Sequence, residues 1–213
     1  MKRTHAATVF GCASVLLAYP EEDLPSDLAR VRTGLDRLGR NAVRAHLEGV
    51  VDWLGGKGPI EAAAAYVDTF DLRRGTSLHL TYYRHGDTRE RGMALAALAD
   101  AYRAAGFVVG AGELPDYLPA LLELAAVDPA GASVLADQRP ALDALGRSLA
   151  GLGSPWAAAV SAVGEALPGP TRADREALRR YRAQGPPSEQ VGLEPFAPPE
   201  VVSSGVTMGA TRR

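Results

Sequence analysis

Residues 43–56, VRAHLEGVVDWLGG, carry the apolar pattern that decides the fold. Apolar side chains recur there at spacings of three and four, which places them on one face of an α-helix. They are Val43, Leu47, Val50, Val51 and Leu54. The pattern ends at Gly55 and Gly56, and glycine commonly follows the last turn of a helix. The stretch therefore predicts an amphipathic helix with one buried face.

The same periodicity continues on both sides of this stretch. The apolar residues predicted to face the core before it are Val9, Phe10, Ala13, Leu16, Leu17, Leu28, Val31, Leu35 and Leu38. Those predicted after it are Ile60, Ala64, Val67, Phe70, Leu95, Leu98, Tyr102, Ala105, Leu114, Leu118, Leu121, Leu122, Ala125, Leu142, Leu145, Leu149, Leu152, Trp156, Val160, Val163 and Leu167. No run alternates with the period of two that is typical of strands. Because the links between these stripes are short, the sequence predicts an all-α protein, a compact multi-helix bundle of antiparallel neighbours.

Capping residues and prolines predict where several helices begin. The predicted starts are an N-cap at Ser26, a first turn at Pro59, a capping box of Asp87 with Glu90, Asp128 with Pro129, a break at Pro140, and Ser154 with Pro155. The character of the sequence changes after Leu167. We predict a helical domain over residues 1–168, a short Arg-rich helix or linker over 169–184 and a disordered tail over 185–213, because the tail is rich in Pro, Gly and Ser.

Composition limits the class of protein. The 213 residues are 46% hydrophobic and 23% charged, as is ordinary for a soluble globular protein. The formal net charge of −2 gives no reason to expect nucleic-acid binding. Cys12 is the only cysteine and lies in an apolar pattern, so we expect a buried thiol and no internal disulfide.

The first residues combine basic side chains with an apolar run, as a signal peptide does. Polar residues interrupt that run and acids follow it at once, so we predict the first helix of the fold instead. No stretch approaches the roughly 20 apolar residues that a membrane span needs. We therefore expect a cytoplasmic protein without stable membrane association.

The most polar and aromatic stretch is residues 66–92, YVDTFDLRRGTSLHLTYYRHGDTRERG. His79, His85 and Asp87 could serve a helical metal-dependent hydrolase, but a spacing of six does not place two histidines on one helix face. Asp68 and Asp71 are conceivable acid–base groups, although such carboxylates more often cap helices or pair with arginine. We therefore expect no catalytic residue, no metal site and no cofactor. A helical transcription regulator is a further alternative, disfavoured because no basic recognition helix is evident.

A binding surface fits this stretch better than a reaction centre. Tyr82 and Tyr83 offer large, rigid, amphipathic contact area, and we expect an open furrow beside them. The interleaved acidic and basic residues could border an apolar groove and set the register of a bound peptide. The alternative is that the tyrosines lie in the core and the charges form a solvated face.

Three motifs occur in order: YVDTFDLRR with SLHLTYYRHGDTRERG, then AYRAAGF, then ELPDYLP. In these motifs, over roughly residues 7 to 165, the sequence resembles the NarJ family, the molybdenum-cofactor assembly chaperones of respiratory nitrate reductase, also called its delta subunit. The resemblance implies an all-helical cytoplasmic protein of nitrate metabolism that is not an enzyme. Related chaperones serve other molybdenum oxidoreductases, which leaves a different client as the narrower alternative.

The resemblance also implies partners. Members bind the N-terminal segment of the catalytic subunit, which resembles a remnant twin-arginine signal. They hold the apo-subunit while the molybdenum cofactor and an iron–sulfur cluster are inserted, before it docks to its membrane anchor. Cofactor-delivery proteins are a further class of partner that such a role suggests.

We expect this client peptide to bind as an amphipathic helix in a groove between bundle helices. The predicted peptide-binding residues are Tyr66, Asp68, Phe70, Asp71, Arg73, Arg74, Leu78, Tyr82, Tyr83, Gly86, Asp87, Arg89, Arg91, Glu113, Leu114, Pro115 and Asp116. The aromatic and apolar members would form the wall, and the acids would attract the basic end of the peptide. The arginines would lock the loop by pairing with those acids, and Gly86 and Gly92 would permit its tight backbone path. Each residue has the alternative role of holding the fold together.

Overall fold

The structure, a computed structural model, describes residues 2–110 and 112–187. These residues form eleven α-helices and no strand. The helices are α1 Lys2–Leu17, α2 Leu24–Leu35, α3 Ala42–Gly55, α4 Pro59–Tyr66, α5 Leu80–His85, α6 Arg89–Ala104, α7 Leu118–Val127, α8 Pro129–Asp137, α9 Arg139–Gly151, α10 Trp156–Ala166 and α11 Arg172–Gln184. The predicted all-α class and multi-helix bundle are confirmed. Residues 188–213 of the predicted tail lie outside the described residues.

The first helix, α1, lies at the centre of the bundle, where it packs against α2, α3, α7 and α10. Its apolar residues are buried as predicted. Cys12 is buried too, and burial raises the pKa of its thiol to about 11, although the charge of Arg37 opposes the shift. A Cβ at Gly34 of α2 would stand 2.7 Å from the Cys12 Sγ, so a glycine lets α2 approach α1 closely.

The helix that carries Tyr66 turns a different face to the core than predicted. Ile60 is 87% exposed and Ala64 is exposed, whereas Ala62 and Tyr66 are buried. After Tyr66 the chain forms one π-helical turn, Val67–Asp71, which keeps Phe70 on the same buried side. The alanine-rich segment gave little indication of its buried face, and the two aromatic rings remove more apolar area from water than Ile60 would.

Most of the predicted helix starts agree with the structure. Prolines stand in the first turns of α4, α8 and α9, and the Asp128 carboxylate accepts a hydrogen bond from the Ala130 N–H as a cap. Two predictions were wrong. Ser26 lies inside α2, which begins at Leu24, and the N-cap residue of α6 is Thr88 without a side-chain cap. Leu152 is exposed because α9 ends one residue earlier.

The predicted Arg-rich segment is a helix, α11, that packs against α9. A capping box joins Thr171 and Asp174 at its start. Leu178 is buried and Tyr181 is half-buried, so the helix buries more than the sequence indicated. The division of the chain into three parts stays a prediction.

Among the described residues, no helix combines the length and the apolar character that a membrane crossing would need.

Candidate functional site

The motif residues of two distant segments meet at the backbone of residues 78–80 and 116–118. The Leu80 N–H donates to the Asp116 carbonyl at 3.0 Å, and the Leu118 N–H donates to the Leu78 carbonyl at 2.9 Å. His79 and Tyr117 thereby form an isolated antiparallel bridge. This pairing fixes the segment before α5 against the segment before α7.

The Asp116 side chain lies at the centre of this junction and is fully buried. Its Oδ1 lies 3.0 Å from the His79 Nδ1, and its Oδ2 accepts hydrogen bonds from the N–H and the hydroxyl of Thr81. Arg91 Nη2 lies 3.5 Å from the same Oδ2. The carboxylate therefore joins α5, α6 and the segment before α7, and it has no surface left to meet a peptide in this conformation.

The pKa of the Asp116 carboxyl reflects these partners. Burial alone would raise it, but the hydrogen bonds from His79 and Thr81 and the charges of His79 and Arg91 outweigh burial and lower it. A carboxyl with a lowered folded-state pKa stabilises the protein above its unfolded pKa of about 3.9, and this contribution is lost as the pH falls through the folded pKa.

This linkage gives a prediction for pH dependence. Asp116→Asn removes the titrating group, so wild type should be the more stable protein at pH 7. The difference in unfolding free energy between the two should shrink as the pH falls below about 4. Urea unfolding of both proteins from pH 7 to pH 3 measures it, and a difference that stays constant over this range would contradict the assignment.

Two arginines of the motif pair with acids, as expected for a locked loop. Arg73 donates to the Asp68 carbonyl at 3.1 Å and lies 3.4 Å from its carboxylate. Arg91 lies 3.5 Å from the exposed Asp87 as well as from Asp116. Arg89 is the first residue of α6, and the Arg74 side chain lies outside the described residues.

The two motif glycines have different roles. Gly86 has a φ of +56°, and a Cβ there would stand 1.8 Å from the Pro187 carbonyl oxygen, so only glycine fits. The expectation for Gly92 was wrong, because it lies within α6 and a Cβ there would meet no atom within 4 Å.

Several predicted wall residues lie in the core. Tyr66 and Phe70 are 4% and 5% exposed and pack against the Trp156 ring. The Tyr66 hydroxyl donates to the Leu17 carbonyl at 3.2 Å and lies 3.0 Å from the Tyr117 hydroxyl. Leu78 is buried as well. In this conformation these three side chains hold the fold together. Large apolar side chains gain the most free energy from burial, which explains why they lie in the core and not on the wall of a groove.

Other predicted residues are exposed near Tyr117. Burial raises the pKa of Tyr117, the Tyr66 hydroxyl opposes this, and the charges of Glu113 and Asp71 raise it further, so both acids act electrostatically on the Tyr117 hydroxyl. Leu114 is 39% exposed, and its carbonyl accepts the Tyr117 N–H at 3.0 Å.

Sequence reasoning missed three members of this region. The Tyr19 ring is 47% exposed and packs edge-on against Tyr66, and nothing in its local sequence signalled this. Tyr117 lies within the quoted ELPDYLP motif, which could have indicated it. Glu123 is the third member: burial raises the pKa of its carboxyl and the charge of Glu113 raises it further, so the two acids act electrostatically on each other. We define the acidic face as Tyr19, Asp71, Glu113, Leu114, Tyr117 and Glu123.

The adjacent tyrosines of α5 lie beside a different surface. Tyr83 is buried and its hydroxyl donates to the Gly75 and Ser77 carbonyls at 3.2 and 2.9 Å, whereas Tyr82 is half-buried. An open cleft of about 420 Å³ lies between Tyr83, α9 and α11. Tyr83 lines this cleft and Tyr82 is not among its lining residues, so the expected peptide furrow beside both tyrosines stays a prediction. Pro115 is half-buried in the segment before α7.

The candidate metal ligands have separate protein partners. His79 pairs with Asp116, the His85 Nδ1 lies 3.4 Å from Glu90, and Asp87 pairs with Arg91. Within residues 2–110 and 112–187, no three His, Cys, Asp or Glu side chains are grouped so that they could hold a metal ion. The geometry of these residues therefore gives no support to the hydrolase alternative.

The fold and the site define a class: an all-helical domain whose sequence motifs organise a buried polar junction below an exposed surface of acids and tyrosines. A family profile described as "Nitrate reductase delta subunit" matches residues 37–162. The match covers more than half of the chain, so the chain belongs to this family.

Curated relatives agree with this assignment. The chain is 41% identical over 165 residues to the nitrate reductase-like protein NarX of Mycobacterium tuberculosis, covering 73% of this chain but only 24% of that protein. It is 34% identical to the probable nitrate reductase molybdenum cofactor assembly chaperone NarJ of Bacillus subtilis, over 59% of this chain and 68% of that protein. It is 40% identical to the NarJ chaperone of Escherichia coli K12, over 43% of this chain and 39% of that protein.

Proposed function

We propose that the protein is an assembly chaperone of respiratory nitrate reductase. It binds the N-terminal segment of the apo catalytic subunit and holds that subunit while the molybdenum cofactor is inserted, before the subunit docks at the membrane. It acts in the cytoplasm, without catalysis and without stable membrane association. The similarity to two NarJ chaperones, together with family membership, supports this role.

The observation that carries the binding role is the acidic face. Asp71, Glu113 and Glu123 have no ion-pair partner among the described residues. By contrast, Asp68, Asp87 and Asp116 each pair with an arginine. Exposed tyrosine and leucine side chains lie among these acids. A basic amphipathic peptide complements both features, because its cations meet the acids and its apolar side chains meet the rings.

The predicted residues divide on this basis. Asp71, Glu113 and Leu114 are proposed to contact the client directly. Asp68 and Asp87 are exposed, but each pairs with an arginine. Their negative charge should therefore attract a basic peptide less strongly than the unpaired acids do. Asp116, Arg91, Tyr66 and Phe70 are proposed to hold these surfaces in place.

The proposal predicts a loss of client affinity when the acids are neutralised. Asp71→Asn with Glu113→Gln should weaken binding of a synthetic N-terminal peptide of the cognate catalytic subunit about five- to tenfold at low salt, as expected for two exposed charge contacts. Calorimetric titration at low and high salt measures it, and the gap between variant and wild type should narrow as salt screens the charges.

A matched control removes two exposed acids elsewhere. Asp36→Asn with Asp52→Asn makes the same change of charge on the far ends of α2 and α3, where the carboxylates are 75% and 79% exposed. Its affinity should equal that of wild type. If both double variants bound the client peptide equally weakly, the loss of affinity would be explained by net charge, and the acidic face would not be the client site.

The proposal also specifies which molybdenum oxidoreductase the chaperone serves. The motif wording and the relatives favour nitrate reductase over oxidoreductases for trimethylamine oxide or dimethyl sulfoxide. Co-expression with the nitrate reductase operon and with an operon of the other kind tests this: the chaperone should retain only the catalytic subunit of nitrate reductase.

A further inference from the structure

The last helix, α11, is attached to the body of the protein by few side chains. Leu178 is 6% exposed and Tyr181 is half-buried, with its ring 5.3 Å from the Tyr83 ring. The five arginines of the helix are all exposed, and Arg180 also lines the cleft beside the helix. They are Arg172, Arg175, Arg179, Arg180 and Arg182. The attachment therefore depends on Leu178, on Tyr181 and on the backbone after the helix, where Pro187 lies against Gly86.

The polar contacts of α11 are all local. Arg172 and Arg179 pair with Glu176 of the same helix, and Arg175 donates to the Pro170 carbonyl. Thr171 and Asp174 cap the helix start. Among the described residues, no hydrogen bond or ion pair joins a side chain of α11 to α5 or α9. The helix can therefore leave its seat without leaving a buried polar group unpaired.

The fit between α11 and its seat is incomplete. The open cleft of about 420 Å³ lies along the helix, between Tyr181 and Ala177 on one side and Tyr83, Pro140 and Ala141 on the other. The helix therefore leaves an open, partly polar space beside Tyr83, and the lining of this space also includes Arg84, Asp137 and Gln138. A helix with larger side chains on its inner face would fill more of this space.

The seat is built by the body rather than by α11. The Tyr83 hydroxyl is bound to the Gly75 and Ser77 carbonyls, which fixes the ring whether or not Tyr181 packs against it. On α9, Ala141 and Leu145 belong to the buried core. If α11 left, a preformed apolar groove between α5 and α9 would be exposed, with a rigid aromatic wall.

From these observations we infer that the groove between α5 and α9 is a helix-binding groove, that α11 is its resident occupant, and that the amphipathic helix of the client displaces α11 when it binds. The inference rests on the proposed chaperone function and adds a second contact surface to the acidic face. A client helix that fits this groove should share the features of α11. It should carry a leucine and an aromatic residue three positions apart on its buried face and cations on its outer face.

Displacement makes affinity depend on how often the groove is free. When the competent state is a fraction of the population, the apparent Kd rises by the inverse of that fraction. If α11 leaves about one molecule in ten open, releasing it should tighten client binding about tenfold. Leu178→Ala with Tyr181→Ala removes the two anchors of α11 while the groove stays intact.

The experiment titrates a synthetic N-terminal peptide of the catalytic subunit into the full chain, wild type and Leu178→Ala/Tyr181→Ala, with Arg179→Ala/Arg182→Ala as the control on the outer face. We expect about tenfold tighter binding for the first variant and unchanged affinity for the control. An excess of a peptide of residues 170–187 should compete with the client in the release variant. In wild type, the client peptide should accelerate tryptic cleavage at the arginines of α11 several-fold.

The outcomes separate the two ideas. Absence of client binding in every protein would overturn the chaperone proposal itself. Binding to wild type with unchanged tryptic protection of α11, together with unchanged or weaker affinity in the release variant, would overturn the displacement and leave the chaperone proposal standing. Near-ultraviolet circular dichroism of the two tryptophans, which lie away from α11, checks that the release variant keeps its core.

Discussion

Asp116→Ala is expected to lower the free energy of unfolding by about 3 kcal/mol at pH 7. The substitution removes a fully buried carboxylate, leaves His79 and two groups of Thr81 without their acceptor, and leaves Arg91 with Asp87 as its remaining ion-pair partner. Breaking a buried pair from one side typically costs about 3–5 kcal/mol. The lower end applies here because the Arg91 and His79 side chains are 19% and 37% exposed and can turn partly to water.

Chemical and thermal unfolding measure this loss, which corresponds to a fall in Tm of about 6–12 °C for a chain of this size. Asp116→Asn keeps the shape and one acceptor, so it should lose less. Asp87→Ala is the matched control, since that carboxylate is 74% exposed and pairs with the same arginine. An Asp116→Ala protein as stable as the control would show that the junction of the motifs does not depend on its carboxylate.

Trp156→Ala is expected to cost about 4 kcal/mol of unfolding free energy. The indole is 1% exposed, and its ring centroid lies 4.9 Å from Trp53, 5.1 Å from Phe70 and 5.9 Å from Tyr66. Its Nε1 donates to the Leu16 carbonyl at 3.0 Å. Removing it leaves a large cavity between α1, α3 and the end of α4, and the remaining rings cannot collapse into it without leaving their own contacts.

Trp156→Phe separates packing from hydrogen bonding. It keeps most of the ring volume but loses the donor to Leu16, so it should cost about 1–2 kcal/mol, the penalty of a buried carbonyl without its partner. Guanidinium unfolding followed by far-ultraviolet circular dichroism compares the three proteins, since wild type has two tryptophans and the variants have one. Equal stability of the alanine and phenylalanine variants would contradict the cavity argument.

The sequence indicated the helices well where large side chains set the period. The stripe in α3 and the apolar residues of α1 appear buried as predicted, because leucine, valine and phenylalanine leave one choice of buried face. It failed for α4, where four alanines made the faces nearly equal and the π-helical turn after Tyr66 shifted the period. Helix starts marked by proline were right, since its ring restricts the backbone locally, whereas caps such as Ser26 compete with neighbouring candidates.

The candidate site was harder to predict, for a physical reason. The motif residues were predicted as a group and several of them meet at Asp116, but a sequence does not say which polar residue is buried. Asp71 and Asp116 look alike as letters, yet one is exposed and unpaired among the described residues and the other is sealed below His79, Thr81 and Arg91. That difference arises from contacts between segments about 35 residues apart, which local pattern does not contain.

The lone cysteine gives the molecule a practical property. With a pKa of about 11 and a buried position in α1, the Cys12 thiol is ionised in only about one molecule in ten thousand at pH 7, and only the thiolate attacks electrophiles. A cysteine introduced on the surface would thus take up a maleimide dye or a nitroxide alone, with the native thiol left in place. Movements of single helices can be watched by energy transfer or spin resonance in the otherwise unaltered protein.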